Sequence, residues 1–290
     1  MIERFDHAVI GVPDLESAMG AFRRLGFEVA VGGRHPSLGT RNAIVRFGLD
    51  YLELLTVEDP AVARARGPFG EELLSFLDRG SGLVGFVLAG TGLEDEVEGL
   101  RDLGLGVEGP FEMDRIHPKG GRLEWMLVLP GGSPWRKPWP YLIDWITGED
   151  ELLAWDPPGD HANFVTGVVG MDLVVGDLEE AAQLYERALG LRAGDGGHGR
   201  PGATSHHYRI GSFRLALHQP DGPGPVASEL ERRGPGPYRL VLGSSDLDST
   251  AETLDRAGVT KSRSPAGLDI DPSEAAGARI RIVSATGNNH

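Results

Sequence analysis

One pattern occurs four times along this chain of 290 residues, and that repetition limits what it can fold into. Each copy runs through a strand, an acidic cap, an amphipathic helix and a leucine–glycine exit, before further strand-like segments. The first reads FDHAVIGV, Pro13-Asp14, LESAMGAFRRL and Leu25-Gly26-Phe27. Residues 83–105 give LVGFVLAG, LEDEVEGLRDL and Leu103-Gly104-Leu105. Residues 168–191 give VVGMDLVV, Gly176-Asp177-Leu178, EEAAQLYERA and Leu189-Gly190-Leu191. Residues 238–259 give YRLVLGSS, Asp246-Leu247, DSTAETLDRA and Gly258-Val259. Asp14 suits a helix start because its carboxylate can accept from the first free helical N–H groups. Gly26 suits the left-handed residue that ends a helix. After the first helix, strands are predicted near 27–31, 42–47 and 51–57.

Glycine (43) and proline (20) are abundant enough to favour short turns and strands over a helix bundle. The length gives room for two cores. The stretch AWDPPGDH at 154–161 breaks the apolar pattern and predicts a linker between domains over 1–153 and 162–290. A formal charge of −15 argues against a nucleic-acid partner. The absence of cysteine removes disulfides, thiolate metal sites and cysteine nucleophiles. No apolar run approaches the roughly 18 residues of a membrane span, and no signal-peptide pattern opens the sequence, so a cytoplasmic location is expected. No phosphate loop, nucleophile elbow or dinucleotide fingerprint is present, and no organic cofactor is expected.

The segments DHAVIGVPDL, GGRHPSLGTRNAIVRFG, YLELL and PWPYLIDW resemble the vicinal oxygen chelate superfamily, in its glyoxalase-like branch. That superfamily includes glyoxalase I, extradiol dioxygenases and bleomycin-resistance proteins. The resemblance covers residues 2–147 closely and 166–285 more generally. It implies an α+β fold of four βαβββ modules, paired into two domains whose curved mixed sheets form clefts. In the metal-dependent members, ligands come from the first and last strands of each module.

His7 and Glu53 carry that chemistry in the first module. Alternation along a strand places His7 on one face with Phe5, Val9 and Gly11, and Glu53 on one face with Tyr51 and Leu55. A carboxylate inside Tyr-Leu-x-Leu-Leu is costly to bury unless paired, hydrogen-bonded or metal-bound. Imidazole with carboxylate suits a divalent Zn, Ni, Mn or Fe ion. His7 could equally be a core histidine satisfied by Asp6 or by backbone. In the second module Gly85 stands where His7 does, and Asp144 is the nearest counterpart of Glu53, in a register uncertain by one residue. His35, among glycines that suggest a loop approaching a ligand, is a candidate fourth ligand after His7, Glu53 and Asp144. Glu53 and Asp144 are candidates for moving protons.

Arg34, Arg41 and Asn42 are placed to bind an anionic or polar substrate, or else to form a solvated turn. Trp125 and Trp145 would wall an apolar part of the pocket, or serve as plain core. His161 falls in the predicted linker. The third and fourth modules offer Gly170 and Arg239 at the His7 position and no carboxylate in their last strands, so no ion site is expected there. The resulting expectation is a metal-dependent lyase, isomerase or dioxygenase acting on a small oxygen-bearing metabolite. The alternative is a metal-free protein that sequesters a small molecule, as in bleomycin resistance. Four modules supply two complete pairs, so either a monomer or a homodimer is compatible.

Overall fold

The computed structural model describes residues 2–131, 135–194 and 202–285. The first module comprises β1 (Ile2–Gly11), α1 (Leu15–Arg24), β2 (Ala30–His35), β3 (Thr40–Arg46) and β4 (Tyr51–Val57). Two helices, α2 (Pro60–Ala65) and α3 (Pro68–Asp78), lead to the second. There β5 (Gly82–Gly90) and α4 (Glu94–Asp102) precede β6 (Val107–Ile116), β7 (Arg122–Pro130) and β8 (Tyr141–Trp145). Helix α5 (Glu149–Trp155) leads into the second half. Its third module has β9 (Val165–Val174), α6 (Leu178–Gln183) widening into a π turn at Leu184–Ala188, β10 (Ala203–Ile210) and β11 (Phe213–Pro220). Helix α7 (Pro225–Arg233) joins it to β12 (Gly236–Ser244), α8 (Leu247–Arg256), β13 (Lys261–Ser264), β14 (Gly267–Ile270) and β15 (Ile280–Ser284).

The repeat is therefore structural. Asp14, Asp177 and Asp246 cap their helices by accepting from backbone N–H groups two or three residues on. Gly26, Gly104, Gly190 and Gly258 leave the four helices at φ of +88°, +75°, +64° and +66°, where a side chain would be strained. Of these four repeat helices, α4 alone has no side-chain cap.

The first half closes into an eight-stranded barrel in the order β1-β4-β3-β2-β6-β7-β8-β5. The modules meet along a long antiparallel β1–β5 pairing, whereas β2 and β6 touch through the single pair Arg34–Ile116. The second half is an open seven-stranded sheet, β10-β11-β9-β12-β15-β14-β13. These are two mixed α+β domains with curved sheets, as the resemblance implied.

Outer-face residues such as Ala8, Ile10, Leu52 and Leu54 join α1, α4 and the second sheet in one continuous apolar cluster. Helices α1 and α4 lie between the two sheets, α1 packing on the turn Pro272–Ala275 and α4 on the π turn. Phe5 stacks on Phe213 across the same seam at 4.4 Å. A separate cluster, built around Val9, Leu55, Val87 and Ile143, fills part of the barrel interior.

Three local expectations change. Residues 32–35 are strand, because a bulge between Val31 and Gly33 keeps β2 paired with β3 through its glycines. Phe5 does not share a face with His7, since a register shift between them turns Phe5 outward. The predicted linker is also no solvated spacer. Asp156 and Asn163 are buried, and His161 wedges between Phe27 and Phe47 while bonding Glu28 N and Arg46 O.

Candidate functional site

Strand parity turns Tyr51, Glu53 and Leu55 of β4 into the barrel together with Thr40 and Asn42 of β3. From the other module come Val87 of β5, Arg115 of β6, Trp125 of β7, and Tyr141 and Trp145 of β8. They enclose about 670 Å³ of empty space, its open mouth included. Phe69 of α3 and Trp135 cover one side; Trp135 donates its indole N–H to Phe69 O at 2.7 Å. The walls are mostly aromatic and aliphatic, as small-molecule sites usually are, with a few polar groups inside.

Those polar groups gather on one wall. Glu53 Oε1 accepts from Asn42 Nδ2 at 2.6 Å. His7 Nε2 lies 3.7 Å from Glu53 Oε2, and His35 Nε2 lies 4.0 Å from Glu53 Oε1. The bulge in β1 brings Asp6 beside His7, with Oδ1 2.6 Å from His7 Nδ1. Asp6 Oδ2 accepts from Arg4 at 2.7 Å and from the Trp145 indole at 2.9 Å. Asp6 thus fixes the imidazole and leaves Nε2 facing Glu53. Tyr51 stacks on His7 at 4.4 Å, and His35 Nδ1 pairs with the Thr40 hydroxyl at 3.0 Å.

Burial shapes the charge of this wall. Burial alone would raise the Asp6 carboxyl, yet His7, Arg4 and Trp145 together hold it below the usual range. Burial pushes His35 down to about 4 against the opposing pull of Glu53, so its imidazole is neutral at pH 7. Tyr51 and Tyr141 are driven well up, first by burial and then by neighbouring carboxylates, and both stay phenolic.

Asp144 is not part of this wall. It lies beside Trp145 in the same strand, so only one of them can face inward, and Trp145 does. Asp144 instead accepts from Gly92 N at 3.1 Å on the outside. The same alternation sets Arg34 against His35 and Arg41 against Asn42. Arg34 points out to Glu58, and Arg41 lies between Glu16 and Glu58. The guanidinium that does reach the cavity is Arg115, which the sequence reading passed over, as it did Trp135 and Tyr141; Asp6 was named there only as a partner that could satisfy a core His7. Parity would have found Tyr141 from Trp145, four residues on; the bulge that admits Asp6 leaves no mark in the sequence.

Among the described residues, no three His, Asp or Glu side chains are drawn together as an ion requires. His7, His35 and Glu53 come nearest. Their 3.7 and 4.0 Å separations exceed the roughly 3.0–3.4 Å between neighbouring donors on an ion bonded at about 2.1 Å. The donor types suit a divalent ion, but as positioned the spacing does not. The second sheet also carries a polar row that the sequence reading did not foresee: Asp172 binds Arg239 at 2.6 Å and approaches His218, which pairs with Ser205.

The fold is that of a glyoxalase-like protein, and comparison with known proteins agrees. The model of the Glyoxalase-like domain family matches residues 5–187. That of the Glyoxalase/Bleomycin resistance protein/Dioxygenase superfamily matches residues 160–267. The chain belongs to the Glyoxalase-like domain family. Among solved structures, a hypothetical protein from Staphylococcus aureus is similar at TM-score 0.69 and 14% identity, over 97% of this chain and all of that one. A 4-hydroxymandelate synthase variant from Streptomyces coelicolor gives 0.63 and 18%, over 97% and 92%. A xylose isomerase-like TIM barrel/4-hydroxyphenylpyruvate dioxygenase fusion protein gives 0.59 and 15%, over 97% of this chain and 48% of that one. No curated protein matches the chain in sequence. No helix among the described residues is long and apolar enough to cross a membrane.

Proposed function

We propose that the first-half barrel binds a small oxygen-bearing organic molecule and moves a proton on it, as a lyase or isomerase does. The observation that carries this reading is the His7–Glu53 pair on one wall of a mostly apolar cavity, with Asp6 behind His7. Asp6 orients His7, Nε2 faces the cavity, and Glu53, held by Asn42, supplies a second group able to accept or return a proton. The three tryptophans exclude water around the ligand, which strengthens every charge interaction inside. The test is proton NMR in D₂O with a panel of small 2-oxo and hydroxy acids. Site-specific loss of a C–H signal, abolished by Glu53→Gln and by His7→Ala, supports the reading. Exchange no faster than in buffer for the whole panel contradicts it.

A metal-dependent reading is favoured by one further observation: an oriented imidazole, a neutral imidazole and a carboxylate face one cavity, with Asp6 behind His7. Two structural neighbours, a 4-hydroxymandelate synthase variant and a 4-hydroxyphenylpyruvate dioxygenase fusion protein, are compatible with it. It requires the three donors to close in by several tenths of an ångström. Calorimetric titration with Zn²⁺, Mn²⁺ and Fe²⁺ separates the readings. One-to-one binding lost in His35→Ala supports an ion site, whereas heats that His35→Ala leaves unchanged oppose it.

A further inference from the structure

Outside the barrel, the side of Trp135 facing away from the cavity borders an open groove at the seam of the two halves. Its walls are the C-terminal end of α3, the turn carrying Arg136 and Lys137, and the C-terminal end of α7. Arg79, Arg136, Lys137, Arg232 and Arg233 line it. Against them stand Glu72 and the buried Glu229, which Arg136, Arg232, Arg233 and Arg279 all approach within 3.9 Å.

The two helix ends explain part of this charge, since each C-terminus carries roughly half a negative charge. Five cations against two carboxylates and two such ends still leave a surplus of about two positive charges. That surplus sits on a chain of net −15. Lys137 is half-buried and has no ion pair among the described residues. Burial presses against the charged form of Arg136, Glu229 opposes that, and the like charges of Arg233 and Arg232 add to the pressure. Arg136 is also held at φ +58°, a strained position for a residue other than glycine, by carbonyls of Gly234 and Pro237. A crowd of guanidiniums this close lowers its free energy by taking up an anion.

We propose that this groove binds a small polyvalent oxyanion, a diphosphate or a di- or tricarboxylate, through Arg79, Lys137, Arg232 and Arg233. The occupant would rest against the outer side of the cover that shields the barrel cavity, so Trp135 can report its binding.

The test titrates the full chain with pyrophosphate and with citrate at about 0.15 M salt, following tryptophan fluorescence and heat. Saturable one-site binding is expected, weakened about tenfold by Lys137→Ala and further by adding Arg79→Ala, because each charge-assisted hydrogen bond is worth at least that factor. A preference for pyrophosphate or for citrate distinguishes the phosphate source from the carboxylate one. Trp135→Phe should remove the optical change while leaving the heat. Neither Lys137 nor Arg79 is buried, and circular dichroism checks that each variant folds. The proposal is overturned by no saturable binding with either probe, by equal binding to the Lys137→Ala variant, or by the same response to sodium chloride at matched ionic strength. It is likewise overturned if sedimentation shows the groove already covered by a second copy.

Discussion

At the scale of single residues, the wall of the cavity is a set of choices between neighbours. His35 faces in and Arg34 out; Asn42 in and Arg41 out; Trp145 in and Asp144 out. The sequence named both members of each pair, and the period of two along a strand allows only one. What the residues alone could not supply was the register, which in β1 depends on the bulge before His7 and in β2 on the bulge between Val31 and Gly33. His35 offers a direct check. Its imidazole is neutral when buried, about 4 against 6.5 for the free group. Between those values the unfolded chain takes up a proton that the folded chain refuses, so stability falls as pH drops from about 6.5 to 4 and is unaffected above. The loss amounts to about 3 kcal/mol. Urea unfolding at pH 7 and pH 4.5 should show a smaller drop for His35→Gln than for the natural chain; equal drops would mean that His35 is not held neutral.

At the scale of elements, the strands, helices and caps were largely legible. Periodicity, Asp caps and Leu-Gly exits are local signals, and three of the four helices carry the predicted cap. The segment 32–35 was less so, because glycines read as a loop when they in fact mark a bulge in β2. Two strand glycines make opposite predictions. A methyl group on Gly32 would collide with Asn42 Oδ1 and press on Arg115 and Ile44. Gly32→Ala should therefore cost about 2 kcal/mol and loosen the Asn42–Glu53 bond. At Gly85 the added carbon meets only Tyr141 and Trp135, at 3.4 and 3.7 Å, which is ordinary contact. Gly85→Ala should leave stability within about 0.5 kcal/mol while narrowing the cavity. Denaturant midpoints of the two variants check both values, and a Gly32→Ala as stable as the natural chain would contradict the packing described for β2 and β3.

At the scale of the whole molecule, two domains were legible from the fourfold repeat, but their mutual dependence was not. The apolar pattern of a helix shows that it buries a face, and not against whose sheet. Here α1 and α4 bury theirs in a core shared by both halves, sealed by the Phe5–Phe213 stack. Calorimetry should show one cooperative transition for the full chain, and Phe213→Ala should lower it as a unit, at a cost of about 3–5 kcal/mol. Two resolved transitions would mean that the halves fold independently.

The central claim is that ligand chemistry belongs to the barrel of the first half, although the second sheet has its own polar row. Thermal-shift and tryptophan-quenching titrations of the full chain with small 2-oxo acids, hydroxy acids and phenols test it most directly. They would be run on the natural protein, His7→Ala, Glu53→Gln and Asp172→Asn. The account predicts saturable binding that weakens at least about tenfold in His7→Ala and Glu53→Gln, the loss of one charge-assisted contact, and persists in Asp172→Asn. Binding that survives both barrel substitutions, disappears with Asp172→Asn, or is absent across the panel would contradict it.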